Sequence, residues 1–258
     1  MDHQPLVSIV TPTYNQREFL EETIQSVLRQ TYPALEYIIV DGGSSDGSQE
    51  LIDEYREEIA LVIAEPDQGQ TDAINKGFQR SRGKYLAWLN SDDTYQPQAV
   101  AEAVHYLENH PQAGMVYGDA RIIDERGKTL AKFNAQETNY QRLMRGGVFI
   151  PQPAAFWRAA LWEQVGPLDP SFYFAMDYDL WVRLSKVSEL HYLPRHWANF
   201  RVHGGAKTVT ADNRCWPEMK RVFFREGGTW LSPFMVKYFL RKALAPLWGW
   251  YKRKQLGL

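Results

Sequence analysis

Tyr85-Leu86-Ala87-Trp88-Leu89-Asn90-Ser91-Asp92-Asp93 is an apolar segment that empties into an amide, a hydroxyl and two adjacent acids. The apolar part reads as a buried strand, so the acids stand at the carboxyl edge of a sheet, where open α/β folds bind ligands. Adjacent carboxylates repel unless a cation neutralises them. Hard oxygen donors suit Mg²⁺ or Mn²⁺, and these ions in turn suit diphosphates. The ordinary alternative is an Asx-rich turn capping the next helix. The remainder of the chain weighs between the two.

Upstream, strand-like and helix-like segments alternate. Leu6 to Thr13 is an apolar, β-branched run, and Glu18 to Gln30 carries Phe19, Leu20, Ile24, Val27 and Leu28 at helical spacing. Tyr37 to Val40 is a second strand, and Ser44, Ser45 and Asp46 are good caps for a helix with Leu51, Ile52 and Tyr55 on one stripe. Ala60 to Ala64 is a third strand. Thr71 to Ser81 reads as a helix with Ala73, Ile74 and Phe78 inward, ended by Gly83. Short strands separated by helices predict a mostly parallel sheet with right-handed crossovers.

Downstream, Pro97 fits the first turn of a helix reaching about His110, and Gly114 to Tyr117 resembles another strand. Regularity then fades. Glu125-Arg126-Gly127-Lys128 looks like a hairpin turn, Gly146 to Phe156 is broken by prolines and glycines, and helical spacing resumes over Asp179 to Lys186. Leu190 to Val202 reads as two short strand-like pieces.

With 258 residues and 44% hydrophobic content the chain can bury a substantial core. A single cysteine, Cys215, excludes an internal disulfide and fits a reducing compartment. Neither a signal-peptide pattern nor a run of about 18 uncharged apolar residues is present, so the expected location is cytoplasmic. Charge is unevenly spread. From Arg214 to Leu258 ten Lys or Arg face two acids, a balance of +8 in a chain of net charge −2, so the rest carries −10. An acidic body without a recognised binding motif argues against nucleic acid as partner.

Four segments occur in one order: Val7-Ser8-Ile9-Val10-Thr11-Pro12-Thr13-Tyr14-Asn15, Val40-Asp41-Gly42-Gly43-Ser44-Ser45-Asp46-Gly47-Ser48, Asn90 to Asp93, and Met176-Asp177-Tyr178-Asp179-Leu180-Trp181. In that order the chain resembles glycosyltransferase family 2 over roughly residues 5–205. The resemblance implies an inverting, metal-dependent enzyme with the GT-A (Rossmann-like) fold, a mostly parallel α/β sheet flanked by helices. On that basis residues 1–212 form the catalytic domain, with a nucleotide-binding half to about 118 and an acceptor half after it. Residues 213–258 form a basic, aromatic, helical tail.

The resemblance also assigns roles. Thr11, Thr13 and Tyr14 match the nucleotide-cradling edge, and Asp41 matches the carboxylate that accepts a proton from a uracil imide. The glycines after Asp41 lack the dinucleotide spacing, which disfavours a dehydrogenase. Asp67 falls near the nucleotide edge, and Lys76 falls on the following helix, where an ordinary solvated face is an equal alternative. Asp92 matches the carboxylate that contacts the ribose and the divalent ion, Mn²⁺ or Mg²⁺. Asp93 is the first choice as direct metal ligand, with His203 as a further one. Many relatives have an acid where this chain has Asn90, and often a Glu at the position of Met176. Asp177 matches the general base, with Asp179 as runner-up, unless Asp179 turns to Arg183 one turn on. Lys207 is placed for phosphate or acceptor contact. Trp157, Trp181 and Trp197 suit core packing better than sugar stacking.

The expected reaction moves one sugar from a nucleotide-diphosphate sugar to a glycan or lipid-linked acceptor hydroxyl, a UDP-sugar being preferred to a GDP-sugar only through Asp41. A nucleotidyltransferase and a catalytically silent sugar-nucleotide binding module are the alternatives. Residues 229–258 alternate aromatics with Lys and Arg. They suit either peripheral contact with an anionic inner leaflet or packing of the aromatics on the domain.

Overall fold

The computed structural model describes residues 4–147, 149–205, 207 and 214–244. Its centre is a nine-stranded sheet. Strand β1 (Val7–Thr13) pairs in parallel with β2 (Leu35–Asp41) and β4 (Tyr85–Trp88), and β2 pairs in parallel with β3 (Leu61–Ala64). Helices α1 (Arg17–Leu28), α2 (Ser48–Glu54) and α3 (Gln70–Arg80) make the crossovers. The expected alternation is therefore present, with boundaries displaced by a residue or two. Asp46 serves the start of α2, its Oδ1 accepting from Ser48 N at 3.1 Å, while its Oδ2 accepts from Arg17 N at the start of α1 at 2.9 Å.

Successive strand residues feed two cores. Val7, Ile9, Tyr85 and Ala87 meet α1, α2 and α4 (Ala99–Asn109) on one face. Val10, Ile38, Leu86 and Trp88 meet α3 and the later helices on the other. Burial on both faces is why these strands read as continuous apolar runs. Registers then decide what stands at the carboxyl edge. Thr13 lies opposite Asp41, and Val10 lies opposite Trp88, which delivers Asn90 to Asp93 beside the end of β1.

Beyond β4 the sheet is mixed rather than parallel. The eleven-residue β6 (Ala113–Ile123) pairs antiparallel with β7 (Thr129–Phe133) and with β8 (Ala155–Arg158), and parallel with β9 (Glu189–Arg201). Strand β8 also pairs with β4, which joins the two halves. The two pieces expected within Leu190 to Val202 are one strand, whose pairing with β6 shifts register between Ala113 and Met115 and again between Tyr117 and Ala120. Those irregularities break the local alternation, so the sequence pattern looked interrupted where the strand is not. The two-residue β5 (Thr94–Tyr95) then pairs with β9 and draws its end towards the acidic run.

Two short helices, α5 (Tyr140–Met144) and α6 (Ala159–Val165), flank the Gly- and Pro-rich stretch. Helix α7 (Met176–Val187) starts three residues earlier than its spacing suggested, which places Asp177 and Asp179 in its first turn. The C-terminal segment supplies α8 (Cys215–Arg225) and α9 (Pro233–Ala243). Met219, Val222, Phe223, Phe234 and Met235 are buried in the core that α7 shares, with Phe223 and Phe234 stacked at 4.5 Å. Residues 213 and 245–258 of the expected tail lie outside the described residues. Among the described residues no helix is long and apolar enough to cross a membrane.

Gly83 does not end α3 through a positive φ; that helix closes at Ser81 in an extended conformation. The glycine is needed for close approach, since a Cβ there would lie 2.5 Å from Ser8 N and 2.8 Å from Tyr85 O. Its own N–H donates to Ser8 Oγ at 2.8 Å, and that hydroxyl donates to Glu36. Backbone atoms of a central strand cannot move aside cheaply. Gly83→Ala is therefore expected to destabilise the chain by roughly 1–3 kcal/mol, the usual cost of overpacking, measured by denaturant unfolding. An unchanged midpoint would show that the β1–β4 edge can open.

Candidate active site

A cleft of about 640 Å³ opens over the carboxyl edge of β1 and β4 and is bounded on the far side by the start of α7. It brings together Thr13, Tyr14, Asp67, Asp92, Asp177 and Lys207. Apart from the adjacent Thr13 and Tyr14 at the end of β1, each arrives from a different part of the chain, so the fold assembles what sequence motifs only hinted at.

One side of the cleft is built by β1 and the segment after β3. Tyr14 is 61% exposed at the cleft edge and offers an aromatic face there. Thr13 beside it is buried, and its hydroxyl has no hydrogen-bond partner among the described residues. Asp67 is held by Gly69 N donating to Oδ1 at 2.7 Å. The missing side chain of Gly42 makes room for it, because a Cβ there would lie 2.5 Å from Asp67 Oδ2.

Several expected residues do other work. Thr11 is fully buried and accepts from Tyr37 OH at 3.1 Å inside the sheet. Asp41 is fully buried behind the cleft wall, accepting from Ser44 N at 3.0 Å, from Gln49 Nε2 at 2.7 Å and from Ser44 Oγ. It closes the turn after β2. Lys76 faces away on α3, paired with Glu65 at 3.0 Å and Asp72 at 3.4 Å. Asp179 is also fully buried, between Arg183 at 2.9 Å and Arg225 at 2.5 Å. The i+4 contact to Arg183 is the one its spacing allowed.

The acidic run divides its two carboxylates. Asp92 lines the cleft, and its Oδ2 meets His203 Nε2 at 3.0 Å. Asp93 turns inward at 1% exposure, accepting from Arg201 N at 2.9 Å and from Asn90 Nδ2 at 3.2 Å. Burial and then the neighbouring Asp92 charge push the Asp93 carboxyl well above the usual carboxylate range. Asp93, the first choice as direct metal ligand, is thus occupied inside the protein, and Asp92 is the carboxylate of the run that reaches the cleft, with His203 joined to it from the adjoining hollow lined by Phe19 and Glu125. Among the described residues no three His, Cys, Asp or Glu side chains converge. One carboxylate and one imidazole suit a Mg²⁺ or Mn²⁺ ion that takes its remaining ligands from water and a substrate diphosphate, so this donor set fits such an ion.

The opposite wall carries Asp177 in the first turn of α7. Burial, reinforced by the Glu218 charge, raises its carboxyl to about 6, against the pull of Tyr178 N donating to Oδ1 at 2.7 Å. Lys207 closes the cleft from the segment after β9. Its Nζ lies 3.8 Å from the Tyr173 ring centre and donates to Gln70 Oε1 at 2.8 Å. Burial lowers this ammonium to about 8, while Glu218, Asp67 and Asp92 pull the other way.

Sequence reasoning missed contributors of three kinds. Arg201, buried at the end of β9, donates through Nε to Asp92 O at 2.9 Å and bonds Glu22 through Nη2. Gln70 and Gln152 hold Asn90 from two sides, Gln70 Nε2 donating to Asn90 Oδ1 at 2.6 Å and Asn90 Nδ2 donating to Gln152 Oε1 at 3.1 Å. The third is Glu218 on α8. The available signal for it was that the basic C-terminal segment contains only two acids, Glu218 and Glu226, and both turn towards the base loop or α7.

Comparison with known proteins agrees with this geometry. The family model for glycosyl transferase family 2 matches residues 8–164. An uncharacterized glycosyltransferase of Rickettsia prowazekii is 28% identical over 219 residues, covering 82% of this chain and 69% of its own length. The S. aureus TarS fragment 1–349, solved in complex with UDP-GlcNAc, superposes with a TM-score of 0.68 at 16% identity, over 84% of this chain and 65% of the fragment. The mannosyltransferase PcManGT of Pyrobaculum calidifontis, in complex with GDP-Man and Mn²⁺, gives 0.67 at 18% identity, over 99% of this chain and 74% of its own. At such identities the two structures speak for the fold alone, a GT-A-type sheet with flanking helices. With a family model covering more than half of its length, this chain belongs to glycosyl transferase family 2.

Proposed function

We propose that this chain transfers one sugar from a nucleotide-diphosphate sugar to an acceptor hydroxyl with inversion, using Asp177 as general base. The observation that carries the reading is one cleft with a carboxylate on each of two walls. Asp177, whose carboxyl burial raises to about 6, stands on α7, and Asp92, bonded by His203 from the segment after β9, stands just past the end of β4. A base of that strength is deprotonated at neutral pH and can still accept a proton during attack.

In the proposed step the acceptor oxygen attacks the anomeric carbon while its proton passes to the Asp177 carboxylate. The bond from that carbon to the diphosphate oxygen breaks, and its electron pair leaves with the nucleoside diphosphate. Lys207 lies on the same cleft and offers positive charge to the departing phosphates. When bound by Asp92 and His203, a divalent cation would supply further charge neutralisation there. Thr13, Tyr14 and Asp67 hold the nucleoside. TarS and PcManGT were solved with UDP-GlcNAc and GDP-Man, so both bases belong in a donor screen.

A thermal-shift panel of UDP-, dTDP- and GDP-sugars with and without Mn²⁺ identifies the donor, since a native-state ligand raises apparent stability. Nucleoside diphosphate release then supports the transferase. Diphosphate exchange with a nucleoside triphosphate would indicate a nucleotidyltransferase, and binding without either would indicate a silent module. Asp177→Asn is expected to keep donor affinity and to lose turnover on the order of 10²–10⁴-fold. In the unaltered enzyme the rate should fall as pH drops through about 6, because the base is then protonated. Near wild-type turnover in the variant would move the base elsewhere. Separately, Asp92→Ala and His203→Ala are expected to abolish the Mn²⁺ dependence of donor binding, whereas retained dependence would remove the pair from the metal site.

A second reading concerns location, and the outer face of α9 favours it. Val236, Phe239, Leu240 and Leu244 are each more than 40% exposed, and Trp230 and Leu231 ahead of the helix are exposed as well. At 100° per residue these positions form one stripe opposite the buried Phe234 and Met235 and the half-buried Tyr238, with Lys237, Arg241 and Lys242 outside the stripe. No acid follows Glu226. We infer that this stripe lies on an anionic leaflet, each cation adding roughly 1 kcal/mol near the surface. Truncation before α9 would remove core residues, so the test is the triple variant Val236→Ser, Phe239→Ser, Leu240→Ser. It should cosediment with phosphatidylglycerol vesicles at low salt far less than the unaltered chain. Equal sedimentation would overturn the membrane reading.

A further inference from the structure

Glu218 makes contacts that its position on α8 does not require. Its Oε2 accepts from Phe174 N and Ala175 N, each at 2.8 Å, and its Oε1 accepts from Tyr173 N at 3.1 Å. Three consecutive backbone donors, just ahead of α7, therefore converge on one carboxylate more than 40 residues away. The residue that opens α7, Ala175, has no side chain able to cap the helix. An acid from a second helix supplies the negative charge that a helix start favours, through hydrogen bonds strengthened by that charge.

The same face of α8 continues the grip. Arg221, three residues on, donates to Ser171 Oγ at 2.8 Å and to Ser171 O at 3.2 Å, and its guanidinium covers the Phe172 ring at 4.6 Å. Arg225, seven residues on, pairs with Asp179. Both flanks of Asp177, the loop before it and the carboxylate two residues after it, are thus held by one charged stripe. The held loop is part of the cleft wall, since Tyr173, Phe174 and Ala175 all line it.

We propose that Glu218 is the positioning residue for the base, holding the 173–175 loop so that Asp177 and the Tyr173 ring face the substrates. The inference rests on Asp177 being the base. A segment that the sequence set apart as a tail then has a direct part in the chemistry. Misplacing a reacting group by about 1 Å costs up to 10²-fold in rate, so a side chain with no substrate contact can control turnover. Glu218 also faces Asp177 as a like charge. Asp179 is neutralised by Arg183 and Arg225, and the Lys207 ammonium stands over Tyr173.

The test compares Glu218→Gln and Glu218→Ala with Asp177→Asn. It uses the full chain, UDP and GDP as binding probes, and nucleoside diphosphate release from the stabilising donor as the rate. Both Glu218 variants are expected to bind the nucleoside diphosphate within about twofold of the unaltered chain, and Glu218→Ala to lose turnover by about tenfold to 10²-fold. In Glu218→Gln the acid limb of the rate profile should move below 6, because removing a negative neighbour favours the ionised base. If Glu218→Ala does not fold, the Gln variant decides through its acid limb and turnover. An unmoved limb with full turnover, alongside an inactive Asp177→Asn, overturns the positioning role and leaves the base in place. Full turnover in Asp177→Asn overturns the base assignment, and this inference with it. Equal losses of nucleoside diphosphate affinity and turnover, with the limb unmoved, would make Glu218 a structural residue only.

Discussion

The acidic run at the end of a buried strand is held in one place by a buried arginine, whose backbone N–H meets the Asp93 carboxylate and whose guanidinium meets the Asp92 carbonyl, and the site is arranged around those contacts. Arg201 is 1% exposed and reaches three segments: its backbone N–H donates to the Asp93 carboxylate and Nε to the Asp92 carbonyl, Nη1 donates to the carbonyls of Asp124 and Glu125, and Nη2 to Glu22. Removing a charge from water costs several kcal/mol unless its hydrogen bonds are made elsewhere, and here the planar fork is filled. The end of β9 is thereby tied to the end of β4. His203, two residues on, can then come within 3.0 Å of Asp92.

The division of labour within the acidic run follows from this tie. With Asp93 engaged inside, only Asp92 presents negative charge to the cleft from that pair, and burial, followed by repulsion from Asp92, raises the Asp93 carboxyl. Asn90 is the hinge of this arrangement. It donates both to Asp93 and to Gln152, and it accepts from Gln70, which in turn holds Lys207. A neutral amide can serve as donor and acceptor at once, which an aspartate there could not do. Asn90 therefore links the acidic edge at the end of β4 to the cationic side of the cleft.

Helix α8 performs the corresponding task on the opposite wall. It grips the loop before Asp177 and pairs with α7 through Arg225 and through Lys186 with Glu226. Its apolar face, with Met219, Val222 and Phe223, enters the same core as Trp181 and Leu184 of α7. Asp177 is consequently set by contacts of both kinds, apolar packing beneath and charge-assisted hydrogen bonds around it. Helix α9 adds Phe234 and Met235 to that core while leaving its other face exposed, so the surface proposed for the membrane shares a core with α7 and α8.

The amino-acid sequence alone determined the strands and helices of the first half, because strands buried on both faces and helices with one apolar stripe leave unmistakable periodicities. It also offered Asp92 and Asp177 as candidates, through the order of short motifs and the chemistry their residue types allow, and both line the cleft. The four-residue β8 and the unbroken β9 were not legible, since their partners lie far along the chain and bulges erase alternation. Nor could periodicity show that Asp93, Asp41 and Asp179 turn inward and that Lys76 turns to Glu65, or that Glu218 and Arg201 turn towards the site. Arg201 meets Asp93 across 108 positions, and Glu218 meets the base loop across 43 to 45. Local sequence sets which face of an element is apolar. Which buried charge meets which partner is decided only when the sheet registers and the helix docking bring distant residues within hydrogen-bond reach.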